Sequence, residues 1–161
     1  MEAALTHEQR FFENLSDFLF LLSEIIERGY EKGKIKVNPA IIEIVQKIIS
    51  DVDRKKLIEN FIKRCIISDK QGNKFCLWEF IAQRNNELCS KYIDNVFAEI
   101  PLQDMSVFGE IFKANWVEEE DRKAIWEYLD SLVRICLKYI GDNNIEFPGE
   151  WYEKFKKLFL S

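Results

Sequence analysis

Apolar side chains return every three or four positions along most of this chain, which is the period of an α-helix with one buried face. The first such run is Phe11, Leu15, Phe18, Leu22 and Ile25, widened into a broad stripe by Phe12, Leu19 and Ile26. Thr6 and Gln9 have the spacing of a capping box, in which hydroxyl and amide satisfy each other's backbone N–H groups. The helix is therefore predicted to start there and to stop at Gly29. Gly29 to Val37 reads as a connector, with Ile35 and Val37 alternating with lysines as in a brief extended segment. Asn38-Pro39 predicts the next start, asparagine as cap and proline at the first helical position, ahead of Ile41, Val45, Ile48 and Val52 with Ile42 and Ile49 beside them. Asp53 then caps or kinks the entry to a third helix. Its face is Leu57, Ile58, Phe61, Ile62, Cys65 and Ile66, and Glu59 and Lys63 are ordered as a helical ion pair.

Ser68 to Lys74 is polar, contains Gly72 and reads as a surface turn. A calcium loop with Gly72 at its sixth position would need Ile67 and Trp78 as ligands, and neither carries a suitable oxygen. A fourth helical region is predicted from Phe75 to Ile100, with the polar run Arg84 to Glu87 marking a kink or break inside it. Pro101 ends it, and Asp104 caps a short helix carrying Val107, Phe108, Ile111 and Phe112, where Gly109 is the one glycine inside a helical pattern. The carboxylates of Glu118 to Asp121 precede the most regular stripe, Ile125, Leu129, Leu132, Cys136 and Ile140, closed by Gly141. Acidic groups there oppose the positive end of a helix dipole, and consecutive residues point around a helix rather than converging on a metal. After a loop from Asp142 to Gly149, Trp151, Phe155, Leu158 and Phe159 form a last short amphipathic helix. The pattern predicts an all-α, single-domain bundle of six or seven helices across residues 1–161.

Composition adds bounds to that picture. A chain of 161 residues is long enough to bury roughly 70% of its unfolded surface. Thirteen phenylalanines and four tryptophans must mostly be core, since each ring removes roughly 150–250 Å² from water. A net charge of −5 with signs interspersed gives no reason for sequence-independent attraction to nucleic acid or anionic lipid. The final segment is the exception: Lys154, Lys156 and Lys157 with Trp151, Tyr152 and Phe155 make a basic amphipathic helix that either docks on the bundle or meets a partner, and these six are the candidate partner-binding residues.

Candidate chemistry is sparse. Cys65, Cys76, Cys89 and Cys136 form no C-x-x-C pair and His7 is the sole histidine, so no zinc pattern can be completed and reduced, core-packed thiols are expected. One histidine in a first helical turn supplies no nucleophile–base pair, and neither phosphate-cradling glycine motif occurs. Carboxylate pairs such as Asp51 with Asp53, or Glu24 with Glu27, carry no information without a cleft. No catalytic, cofactor-binding or metal-binding residue is nominated. The absence of a secretory pattern near Met1 and of any window approaching ~18 uninterrupted apolar residues predicts an intracellular, reducing location without a membrane span.

Phe61-Ile62, the stretch Val96 to Pro101, Val107-Phe108 with Ile111-Phe112, and the run Ile125 to Leu129 continued by Leu132 to Ile140 resemble a recurrent type of small helical protein encoded by nucleocytoplasmic large DNA viruses. The likeness covers residues 61–140, about half the chain, and is carried by helical spacing and aromatic placement. It implies no assigned activity, so no functional residue is carried over. The expected function is a non-enzymatic protein-interaction domain of a virus, needing no cofactor and found in the host cytoplasm or the virion. It would act as a virion component or as a regulator of a host or viral complex. The alternative is a nucleic-acid-associated accessory factor using the C-terminal lysines, whose binding would fall steeply with salt.

Overall fold

Two helices of 25 residues each, α1 (His7–Glu31) and α7 (Glu119–Asn143), form the spine of the molecule. They run antiparallel and are pinned along their whole length. His7 Nε2 lies 2.7 Å from Asp142, Ser131 Oγ donates to Asn14 Oδ1 at 2.8 Å, the Phe18 and Tyr128 rings meet at 5.9 Å, and Arg28 Nη2 donates to Asp121 at 2.6 Å. The computed structural model describes residues 4–36, 38–96 and 106–161, with only the backbone of 106 and 107. Predicted features at Val37, Phe97, Ile100, Pro101 and Asp104, and the Val107 side chain, lie outside the described residues.

The Thr6 capping box forms as its spacing predicts, each partner accepting from the other's backbone. Gly29 does not stop α1. The helix continues to Glu31, and Gly33, at φ +71°, supplies the turn instead. Gly29 is glycine for a different reason: the benzo edge of the Trp116 indole lies against it, and a Cβ there would sit 2.6 Å from Trp116 Cη2. A Gly29→Ala chain is expected to lose about 1 kcal/mol net, the displaced indole outweighing the helix-propensity gain. Urea denaturation measures the loss, and Trp116 emission should move toward that of a solvated indole.

Helix α2 (Ala40–Asp51) follows Asn38, whose Oδ1 accepts from Ala40 N at 3.0 Å, and Asp53 caps α3 (Arg54–Arg64) through Lys56 N at 3.2 Å. The third helix ends earlier than its apolar period suggests. Ile66 belongs to β1 (Ile66–Ser68), paired antiparallel with β2 (Lys74–Cys76) in the register Ile66 to Cys76 and Ser68 to Lys74. The turn between them is organised by Asp69, whose Oδ1 accepts from Gln71 N and Asn73 N at 2.8 and 2.9 Å, with Gly72 at φ +85°. Those backbone donors hold the Asp69 carboxyl below its ordinary range, the Asn73 N–H foremost.

The region predicted as one helix from Phe75 is split into α4 (Leu77–Ala82) and α5 (Asn86–Val96). Arg84 makes the break with a left-handed backbone at φ +54°. Arg84 N donates to Ile81 O and Asn85 N to Phe80 O, the paired bonds of a Schellman ending that normally uses glycine, and Asn85 Oδ1 then caps α5 at Leu88 N. Helix α6 (Ser106–Lys113) packs along α5. Arg122 reaches back from α7 to the Phe112 and Ala114 carbonyls at the α6 end. Helix α7 passes through Gly141, whose missing Cβ leaves room for the Tyr152 hydroxyl, and ends at Asn144 in the left-handed region. Helix α8 (Gly149–Phe159) closes the bundle with Phe155 and Phe159 buried.

The fold is therefore all-α, with eight helices among the described residues rather than six or seven, and one two-stranded hairpin. Buried side chains from α1 through α8 form one continuous apolar core. Trp78, fully buried, is a hub on its α8 side, stacked on Phe147 at 5.2 Å and edge-on to Phe155 at 5.7 Å.

Candidate docking groove

The stripe read for α2 is rotated in the fold. Ile42, Val45 and Ile49 are the buried residues, while Ile41, Ile48 and Val52 are half-buried and Ile44 is 51% exposed. A helix with isoleucine on nearly every side satisfies several stripe assignments at once, so its period cannot say which side faces the core. One consequence is a surplus of apolar surface beside α3. There Phe11 and Leu15 of α1, Ile48 and Ile49 of α2 with Val52 beyond it, Leu57 and Phe61 of α3, and Val96 of α5 line an apolar cavity of about 150 Å³. Asn60 and Arg64 of α3 are its polar lining residues, and Arg64 Nη1 also approaches Asn95 O at 3.5 Å. Eight apolar residues with a polar pair suit an apolar ligand or side chain whose polar surroundings stay in water.

Among the described residues, no titratable group with a displaced pKa lines this cavity. Burial pushes the Cys76 and Cys89 thiols up to about 12, and drives Cys65 and Cys136 well above the ordinary thiol value. All four are free and buried, so the thiolate needed for nucleophilic chemistry is suppressed. Asp94 is half-buried beside Gly109 and Glu110, and loss of hydration raises its pKa to about 6 despite the bond from the Gly109 N–H. Its Oδ1 is buried and meets no donor among the described residues.

Because the folded pKa of Asp94 exceeds the unfolded one, near 3.8, folding favours the protonated form. That contribution is complete below pH ~4 and disappears as the pH rises through ~6. Asp94→Asn is expected to remove this part of the pH dependence and to be about 1 kcal/mol more stable at pH 7. The figure is well under the full conversion because water screens a half-exposed group. Urea titrations of both chains between pH 4 and pH 7 read it directly.

The six residues nominated in the C-terminal segment divide by role. Phe155 is 1% exposed and fills the core, and Trp151 and Tyr152 are half-buried against it, Trp151 touching Phe147 at 6.0 Å. Lys154 Nζ lies 2.6 Å from Glu79 Oε1, Lys156 Nζ lies 5.2 Å from the Tyr152 ring centroid, and Lys157 is exposed. The segment thus docks on the bundle, and two of its three lysines have partners within the chain. His7 is engaged with Asp142. Among the described residues no group of three His, Cys, Asp or Glu is placed to hold a metal ion, and no helix is long and apolar enough to cross a membrane. The groove residues went unnoticed as a site because each reads as core. The one available signal was that α2 carries more isoleucine than a single buried face can use. The chain matches no protein-family model, no curated protein and no solved structure.

Proposed function

We propose that this chain is a helical protein-interaction domain that does no chemistry of its own and takes an apolar side chain of a protein partner into the groove between α1, α2, α3 and α5. The observation that carries the reading is the cavity of about 150 Å³ with eight apolar lining residues, flanked by the exposed Ile44. The Glu79 and Tyr152 contacts of Lys154 and Lys156 favour it over nucleic-acid binding through α8. With the resemblance over residues 61–140, the reading becomes that of a viral protein acting in the virion or on a host or viral complex in the host cytoplasm.

The test is site-specific photo-crosslinking in producing cells, with the photoreactive residue at Ile48 in the groove and, as control, at the exposed Lys138 of α7. A discrete protein adduct from position 48 and none from 138 is the expected result. Nucleic acid as the sole adduct, or no adduct at position 48, would overturn the reading. Fractionating the adduct between purified particles and cytoplasm assigns the location.

A further inference from the structure

The side of α1 that faces away from the core is as regular as its buried stripe. Glu13, Asp17, Phe20, Glu24, Glu27 and Glu31 fall at alternating four- and three-residue steps, and all six are exposed. Five carboxylates thus surround one phenylalanine that is 60% exposed, the highest value among the exposed large apolar side chains of the described residues.

The groove has the opposite character. On α3, Lys56 lies four positions before the lining residue Asn60 and shares its face, and Arg64 lines the cavity itself. Lys56 is exposed, while the α2 wall balances Lys47 with Asp51. An apolar cavity of roughly 150 Å³ is the size that admits a benzene ring, and the groove measures about 150 Å³.

We propose that the occupant of the groove is the outer face of α1 from a second copy of this chain, with the Phe20 ring inserted and its acidic collar resting on the Lys56 and Arg64 rim. The proposal rests on the groove being a protein-docking site and adds what docks there. The two next most exposed apolar residues fit less well as anchors. Leu158, 54% exposed, sits among Lys154 and Lys157, whose charge repeats that of the rim, and Ile44 stands beside Ile48 on the groove's own wall. With a net charge of −5, two copies repel at long range, so the contact depends on matching these two local patches.

Phe11 and Leu15 of α1 line the groove, whereas Phe20 points to the opposite side of the same helix, so knob and socket are different surfaces. Such a contact is heterologous: in a pair one copy keeps an unused socket and the other an unused knob, from which a ring or filament grows.

Sedimentation velocity of the full chain between about 1 µM and about 500 µM tests the contact. The weight-average mass is expected to rise with concentration and to fall back with added salt. Phe20→Ser, and separately Lys56→Glu, are expected to weaken association roughly tenfold or more. Both positions are exposed, and far-UV circular dichroism verifies that each variant folds. The first variant keeps its socket and the second its knob, so their mixture should form a 1:1 pair that grows no further. A wild-type chain that stays monomeric throughout, or association unchanged by Phe20→Ser, would falsify the proposal. In that event a foreign protein captured at position 48 leaves the docking groove standing and removes only the second copy, whereas no adduct removes both.

Discussion

A Gly109→Ala chain is expected to lose about 3 kcal/mol of stability. Gly109 lies inside α6, where alanine would ordinarily be the better residue by about 1 kcal/mol. Here a Cβ would stand 2.4 Å from the Ser90 carbonyl oxygen and 2.9 Å from Asp94 Oδ2. The nearer atom is backbone, so no rotamer change relieves the clash and α5 and α6 must separate. Separation also gives up two bonds that clamp the glycine from successive turns of α5: Ser90 Oγ donates to Gly109 O at 2.6 Å, and Asp94 accepts from the Gly109 N–H. Guanidinium denaturation gives the loss. A variant with wild-type stability would mean that α5 and α6 are not held this closely.

The second large effect is expected at Arg84. Its guanidinium makes a two-pronged bond to Asp130, Nη1 to Oδ1 at 2.7 Å and Nη2 to Oδ2 at 2.6 Å, and lies 5.2 Å from the Trp126 ring. The Asp130 hydrogen bonds raise the Arg84 pKa further, and Asp130 itself is buried at 9% exposure. Arg84→Ala leaves that carboxylate in the interior without its cation and is expected to cost about 2–3 kcal/mol, below the range for a fully buried pair because the arginine is partly exposed. Arg84→Gly should cost about 1 kcal/mol less than the alanine variant, because glycine occupies φ +54° without strain. The ranking of the two variants by thermal denaturation separates the backbone contribution from the ion pair. Equal losses would mean that the left-handed conformation carries no strain here.

The helices and most of their caps were legible because both rest on local spacing: the Thr6 box, the Asp53 cap and the α7 stripe depend on residues within a turn or two of one another. Gly29 and Gly141 misled for the complementary reason. Glycine after a stripe reads as a helix end, yet each is needed because an aromatic side chain from elsewhere, Trp116 or Tyr152, lies against it. The hairpin was hidden because Ile66 continues the apolar period of α3, and only pairing with Cys76 draws it into a strand. The groove was illegible for a further reason. A side chain at its mouth and one at its floor have the same chemistry, and only the angle of α2 to its neighbours decides which is which.

The pairing of α1 with α7 has a consequence for how the molecule comes into being. The apolar stripe of α1 finds its main partner only when the chain between Glu119 and Asn143 exists, because Arg28 awaits Asp121 and His7 awaits Asp142. At about 5–20 residues per second of synthesis, the segment between Glu31 and Glu119 takes on the order of 5–20 s to appear. For that interval the nascent helix lacks the Tyr128 ring that meets Phe18 in the folded chain. Its burial is thus a late event at the ribosome, and a ribosome stalled before α7 would hold out a greasy helix for chaperones to shelter.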